Sequence, residues 1–288
     1  MTHIDTFAVI GGDLRTLYLA EQLVRDHYKV IASGFDATEL PASVTGCTSP
    51  TQSVELSDCM ILPLPVTADG QTLNAPFSRL RIPLAQVWRP GKPTLGGQVS
   101  DALAQQAKDS GVQLRDYFRR EELAIQNAVP TAEGAVQLAM EELPVTVSGA
   151  RCLITGFGRV GGALARLLVA MGAHVTVAAR SLDARAWALV HGCCTMPIED
   201  IGGDFDVVFN TVPALLFDDV RLAQLDKGTL LIDLASRPGG VDFNAAAARQ
   251  IKTVWALSLP GRVAPKTAGI AIERTILHML AEGLEEDA

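Results

Sequence analysis

The sequence predicts an α/β chain of two Rossmann-like, doubly wound domains with parallel sheets and a cleft between them. Three observations carry this. The chain has 288 residues, enough for two domains of ordinary size, and 48% of them are apolar, enough for a substantial core. Short apolar runs alternate with segments of helical periodicity, which is the pattern of strand–helix–strand units. A glycine fingerprint, Gly156-Phe157-Gly158-Arg159-Val160-Gly161, lies between one such run and one such segment.

In order, residues 7–10 read as a strand that runs into Gly11-Gly12-Asp13. A helix follows, with Leu14, Leu17, Tyr18, Ala20, Leu23 and Val24 on or near one face. Residues 28–32 and 58–62 are strands. Residues 63–97 are rich in Pro, Gly and Thr and read as loops with short ordered pieces. A helix over 99–108 and a strand over 112–116 come next. Pro130 is expected to stop what precedes it, so the domain boundary falls in 127–131. The first domain is then 1–129 and the dinucleotide-binding domain 130–265.

The second domain opens with an amphipathic helix over 131–143 and a link over 144–148. Strands are expected at 150–155, at the run ending in Arg180, and at 205–210, 229–233 and 253–257. Helices are expected at 160–171, 183–190 and 244–250. Residues 259–267 read as a polar loop. A final helix, 266–284, needs a partner for its apolar face and is expected to pack back on the first domain. The acidic end, Glu285-Glu286-Asp287, is expected to fray.

Composition removes several function classes. The net charge is −8 and there is no basic stripe, so neither nucleic acid nor anionic lipid is an expected partner. No apolar run reaches membrane-spanning length, and no signal peptide is seen, so a cytoplasmic location is expected. The five cysteines form no C-x-x-C pair. Cys59 and Cys152 read as buried thiols, and Cys193-Cys194 as a short buried strand rather than a redox pair. No cluster of His, Cys and carboxylate has metal spacing. Of the histidines, His3 and His27 lie away from the expected rim, His174 begins a strand, and His191 and His278 belong to helices.

The fingerprint assigns roles by position. Gly156 permits the tight turn, Gly158 lets backbone approach a pyrophosphate, and Gly161 lets helix pack on strand. The helix beginning with Arg159 and Val160 aims its free N–H groups at the phosphates. An NAD site usually has an acid on the ribose 2′-OH, whereas here the second strand ends in Arg180-Ser181. A cation and a hydroxyl suit a 2′-phosphate, so NADP is expected, with NAD as the alternative. Gly11-Gly12-Asp13 is not read as a second nucleotide site, because the third glycine is missing and Asp13 would repel phosphate. It is read as a turn shaping a substrate cleft, or as a helix cap.

Ligands of open parallel sheets bind beyond the carboxyl ends of the strands. Thr211, Val212 and Pro213 follow one strand and leave room for ribose and nicotinamide. Ser236 and Arg237 follow the next, and Arg262, Lys266 and Thr267 the last. These cations in an acidic protein suggest an anionic substrate, with the start of the helix at Lys266 and Thr267 as an anion site. Solvated loop charges are the competing reading for Arg262 and Lys266, and a turn cap for Asp233. Glu133 is the candidate base, with complementing a helix N-terminus as its competing role.

At these loops the chain resembles the A-subunit family of dipicolinate synthase. The stretches concerned are Ala8-Val9-Ile10-Gly11-Gly12-Asp13, Pro130-Thr131-Ala132-Glu133-Gly134, Gly156-Phe157-Gly158-Arg159, Asp233-Leu234-Ala235-Ser236-Arg237-Pro238-Gly239-Gly240, and Leu259-Pro260-Gly261-Arg262-Val263-Ala264-Pro265-Lys266-Thr267-Ala268-Gly269. The likeness runs from Phe7 to the final helix and is thinnest over 63–93.

The resemblance implies oxidation of a dihydrodipicolinate-level precursor to dipicolinate with a nicotinamide cofactor, during spore formation in the mother cell. It also implies a flavoprotein-like partner, the B subunit of dipicolinate synthase; a homo-oligomer is expected as well. On it, Glu133, Ser236 and Lys266 are the candidate catalytic residues, and Thr131, Arg237, Arg262 and Thr267 the candidate substrate contacts. Two alternatives stay open: a related amino-acid or hydroxy-acid dehydrogenase, and a non-catalytic cofactor-binding subunit.

Overall fold

The computed structural model describes residues 4–286, with side chains as far as Gly283. His3 and Asp287 lie outside the described residues, as do the side chains of Glu285 and Glu286 and hence the expected fraying. Contacts divide the chain into two compact units, residues 1–126 with 264–288 and residues 127–263.

The first unit contains β1 (Thr6–Ile10), α1 (Leu14–Arg25), β2 (Lys29–Ser33), β3 (Thr45–Gly46), α2 (Pro50–Glu55), β4 (Cys59–Ile61), β5 (Thr94–Gly96), α3 (Asp101–Asp109) and β6 (Leu114–Asp116). Its strands lie in the order β3-β2-β1-β4-β5-β6 and pair in parallel. Side chains alternate between the faces: Phe7 and Val9 enter one core cluster, Ala8 and Ile10 the other. This is the period-two pattern of strands covered on both sides.

The helix α4 (Glu121–Glu142) begins in the first unit and ends in the second. The second unit continues with β7 (Arg151–Thr155), α5 (Arg159–Ala170), β8 (His174–Ala178), α6 (Leu182–Val190), β9 (Cys194–Met196), β10 (Val207–Asn210), α7 (Asp219–Leu222), β11 (Leu230–Asp233), α8 (Phe243–Ala248), β12 (Lys252–Trp255) and α9 (Leu259–Val263). The terminal helix α10 (Pro265–Glu286) returns to the first unit and packs on α1. The second sheet runs β12-β11-β10-β7-β8-β9, again all parallel. Counted from its own first strand, each sheet has the order 3-2-1-4-5-6, the doubly wound order whose ligand crevice opens where the strand sequence reverses.

Four expectations are corrected. Pro130 does not stop the chain, since α4 passes through it. Proline removes one intrahelical hydrogen bond, and the Thr131 hydroxyl donates back to the Asn127 carbonyl at 2.7 Å beside the gap. Glu133 is consequently mid-helix and complements no N-terminus. Residues 259–267 are not a loop: α9 occupies the first part, and Pro265 opens α10 at a position where a missing N–H costs nothing. Cys194 is exposed, so the vicinal pair is not a buried strand, although Cys193 is buried. Cys59 and Cys152 are buried as expected, and burial pushes each thiol up to about 12.

Candidate functional site

The turn after β7 shows three glycines doing three different things. Gly156 has φ +85°, and a Cβ there would come within 2.8 Å of the Thr211 hydroxyl. At Gly161 a Cβ would approach the Gly156 carbonyl oxygen to 2.3 Å, so only hydrogen lets α5 start this close to the turn. Gly158 is different: a Cβ there meets nothing within 4 Å, and its φ of −90° suits any residue. Glycine at that position leaves space for something outside the chain.

Capping points the same way. Side chains of Asp13, Ser49, Ser100, Ser181, Asp218 and Asp242 cap α1, α2, α3, α6, α7 and α8. The N-cap of α5 is Gly158, which offers no side-chain acceptor. The start of α5 therefore carries no side-chain cap, and the positive end of the helix dipole lies there. Arg159 and Val160 are the first two residues of this helix. A dinucleotide pyrophosphate fits these features.

The matching turn of the first unit is closed by its own residues. Asp13 stands where Gly158 stands, and its carboxylate accepts the Arg15 N–H at 3.0 Å, occupying the helix start. The Arg15 guanidinium grips the same carboxylate, and the Gly12 N–H is spent on the Asn74 carbonyl at 2.9 Å.

Beyond β8, Arg180 and Ser181 are exposed. The Ser181 oxygen accepts the Ala184 N–H at 3.2 Å as the cap of α6, leaving its O–H as a donor. No ion pair engages Arg180 among the described residues.

The last residues of four adjacent strands, Thr155, Asn210, Asp233 and Trp255, lie in one register row. The first three are fully buried. Thr155 donates to Asn210 Oδ1 at 2.6 Å, and Asn210 Nδ2 donates to Asp233 Oδ1 at 2.7 Å. This row holds the loops that follow it. Thr211 Oγ1 donates to the Thr155 carbonyl (2.7 Å), and the Val212 N–H to Asn210 Oδ1 (3.1 Å). Pro213 is exposed just beyond them. Asp233 accepts the Ala235 N–H at 3.1 Å and the Gly240 N–H at 2.8 Å, so one carboxylate ties both ends of the loop carrying Ser236 and Arg237. The buried carboxylate is satisfied by three donors, Asn210 Nδ2 and the N–H groups of Ala235 and Gly240. Ser236 and Arg237 are exposed, and the Arg237 guanidinium lies 5.5 Å from the Trp255 ring centroid.

Sequence reasoning singled out Asp233 only as a turn cap and missed Thr155, Asn210 and Trp255. Thr155 and Asn210 had a signal of position, each a polar residue ending a largely apolar strand, but Trp255 ends Lys252-Thr253-Val254 and had none.

The other predicted residues are dispersed. Arg262 is exposed on α9. Lys266 and Thr267 are exposed in the first turn of α10 and belong to the first unit. The Thr131 hydroxyl is engaged within α4. Glu133 is exposed in a shallow apolar groove with Val136, Met140, Leu167 and Met171. Leu167 is eight residues past Arg159, about 12 Å along α5, so the groove flanks the end of α5 opposite the glycine turn. Glu133 thus lines this groove and does not stand at the glycine turn. No group of His, Cys, Asp and Glu among the described residues could hold a metal ion.

Comparisons with known proteins agree with this geometry. Residues 6–118 match the model of the N-terminal domain of the dipicolinate synthase A subunit. Residues 100–251 match that of the D-isomer specific 2-hydroxyacid dehydrogenase NAD binding domain. The A subunit of dipicolinate synthase from Bacillus subtilis (strain 168) is 34% identical, over 96% of this chain and 95% of that protein. The crystal structure of the dipicolinate synthase A subunit from Bacillus halodurans superposes with a TM-score of 0.87 at 33% identity, covering 98% of this chain and 99% of that one. The corresponding dipicolinate synthase crystal structure from Bacillus subtilis gives 0.86 at 31%, covering 99% of each. The second unit thus carries a dehydrogenase-type nicotinamide-dinucleotide domain, and from the first strand to the last helix the chain belongs to the A-subunit family of dipicolinate synthase.

Proposed function

We propose that this chain is an NADP-dependent oxidoreductase that converts a dihydrodipicolinate-level precursor to dipicolinate, working with a second subunit. The observation that carries the reading is the uncapped, glycine-lined start of α5, on the same strand-end edge as a fixed loop bearing an exposed arginine. Membership of the family supplies the substrate class. The relatives are named as one subunit of a synthase, which supports a partner. A role in spore formation follows from the same substrate.

The nicotinamide cofactor, when bound, supplies a hydride acceptor. The chain's own residues bind and orient. Gly156, Gly158, Gly161 and the first N–H groups of α5 would hold the pyrophosphate. Arg180 and the Ser181 O–H would take a 2′-phosphate, a role that favours NADP because the strand is followed by a cation and a hydroxyl where NAD sites usually carry an acid for the 2′-OH. Thr211, Val212 and Pro213 would border the nicotinamide side. Arg237 would grip one carboxylate of the precursor through two parallel N–H donors. Oxidation forms an aromatic ring, so orienting the carbon–hydrogen bond is the protein's main contribution.

The test separates the two ligands. Arg180→Ala should weaken NADP roughly tenfold to a hundredfold, the range of a charge-assisted hydrogen bond, and leave NAD unchanged. Arg237→Ala should raise KM for the precursor by a similar factor with cofactor affinity retained. Equal loss of both ligands in Arg237→Ala would refute the assignment. Cofactor reduction, followed with and without the partner subunit, tests where turnover resides.

A further inference from the structure

We propose that Trp255 is a positioning residue that holds Arg237 ready for a carboxylate. This rests on the reading of Arg237 as the substrate anchor and extends it to what fixes that anchor in place. Arginine is a flexible side chain, and ordering it on binding costs affinity. Here the loop and the side chain are restrained before any ligand arrives.

Six contacts do this. Asp233 ties the loop at Ala235 and Gly240. The Trp255 Nε1–H donates to the Ala235 carbonyl at 3.3 Å, so the indole is bound to the same loop. A Cβ on Gly239 would lie 3.4 Å from the Trp255 ring, so the loop runs along the indole. The Arg237 guanidinium sits over the ring at 5.5 Å, and Phe243 packs against the indole with ring centroids 5.4 Å apart and 32° between planes.

No carboxylate forms an ion pair with Arg237 among the described residues. A guanidinium restrained over an indole spends no N–H donor on a carboxylate. Those donors match a planar carboxylate, and an arginine paired to an aspartate would lack them. Trp255 therefore restrains the cation without neutralising it, which an acidic partner could not do.

The experiment titrates dipicolinate into the full chain saturated with reduced cofactor and follows binding by calorimetry. Trp255→Leu should weaken dipicolinate roughly fivefold to tenfold, the size of a partly desolvated cation–π contact. Cofactor affinity should be unchanged. Trp255→Phe keeps an aromatic face and should stay within about threefold of the wild-type protein. In an Arg237→Ala background, Trp255→Leu should add no further loss.

Wild-type affinity in Trp255→Leu, with Arg237→Ala impaired, overturns the role of Trp255 and spares that of Arg237. Undiminished binding by Arg237→Ala overturns both. A full additional loss in the double variant means that Trp255 acts other than through Arg237, and overturns the proposal. Should Trp255→Leu not fold, emission excited at the tryptophan edge decides. Dipicolinate should change it in the wild-type protein and not in Trp255→Phe, and identical changes in the two proteins overturn the proposal.

Discussion

At the scale of single residues, the same glycine type serves opposite needs within one turn. Gly161 is required by the chain itself, whereas a Cβ at Gly158 meets nothing in the chain and, on the proposed function, that space serves a ligand. The two are separable with one methyl group. Gly161→Ala should cost roughly 1–3 kcal/mol of stability by overpacking against the Gly156 carbonyl. Gly158→Ala should keep stability within about 1 kcal/mol, since the N-cap there makes no side-chain bond to lose. It should nonetheless lose cofactor affinity. Chemical denaturation and a cofactor titration on both variants check this, and a stable, fully binding Gly158→Ala would remove the pyrophosphate from that turn. The turn and its glycines were legible in the sequence because they follow from spacing along one strand and one helix. The role of Trp255 was not, because it depends on which strand lies beside β11.

At the scale of elements, the packing of α10 on α1 decides the integrity of the first unit. A Cβ at Gly269 would stand 2.4 Å from the Arg15 carbonyl oxygen, so the two helices meet backbone to backbone. Gly269→Ala should destabilise the chain by roughly 1–3 kcal/mol, seen as a lower denaturation midpoint with cofactor binding retained.

One turn further along α10, Glu273 is 1% exposed and neither of its carboxylate oxygens has a hydrogen-bond partner. Burial pushes its carboxyl up to about 7 from the ordinary 4.5, and the nearby carboxylate of Asp26 adds to the shift. The folded chain thus holds a proton between pH 4.5 and 7 that the unfolded chain has released. Its contribution is complete below the unfolded value and is lost as pH rises through the folded one. The unfolding free energy should fall across that window by roughly 3 kcal/mol. Glu273→Gln should flatten the fall and raise the thermal midpoint at about pH 8, above the folded value. An unchanged pH profile would mean that the carboxyl ionises without cost.

At the scale of the whole molecule, two sheets of identical strand order differ at their crevice turns. In the second unit the crevice turn is open at Gly158. In the first, Asp13 and Arg15 fill the equivalent position. On the proposed function, a single dinucleotide per chain is expected. NADP at about a hundred times its Kd should stabilise the chain by about 2.7 kcal/mol, a rise of roughly 5–10 °C in the thermal midpoint for a chain of this size. The same concentration should leave Gly158→Ala unshifted; a shift that survives in that variant would point to a second site.

The sequence alone determined the α/β class, most strands and helices, and the glycine turn. It also determined the departure at Arg180 from the acidic residue of NAD sites. All of these are local: they rest on periodicity of two or 3.6 and on residues within one strand–helix–strand unit. Residues further apart were decided only by tertiary structure. Pro130 reads as a stop because an isolated helix is weakened there, yet α4 is held through it by the core that Ala132, Ala135, Val136 and Ala139 enter. The row Thr155–Asn210–Asp233–Trp255 exists only because parallel pairing aligns the ends of four strands that lie far apart along the chain. Hydrogen bonds and ring contacts between such residues have no signature along the chain, since nothing but the sheet brings them together.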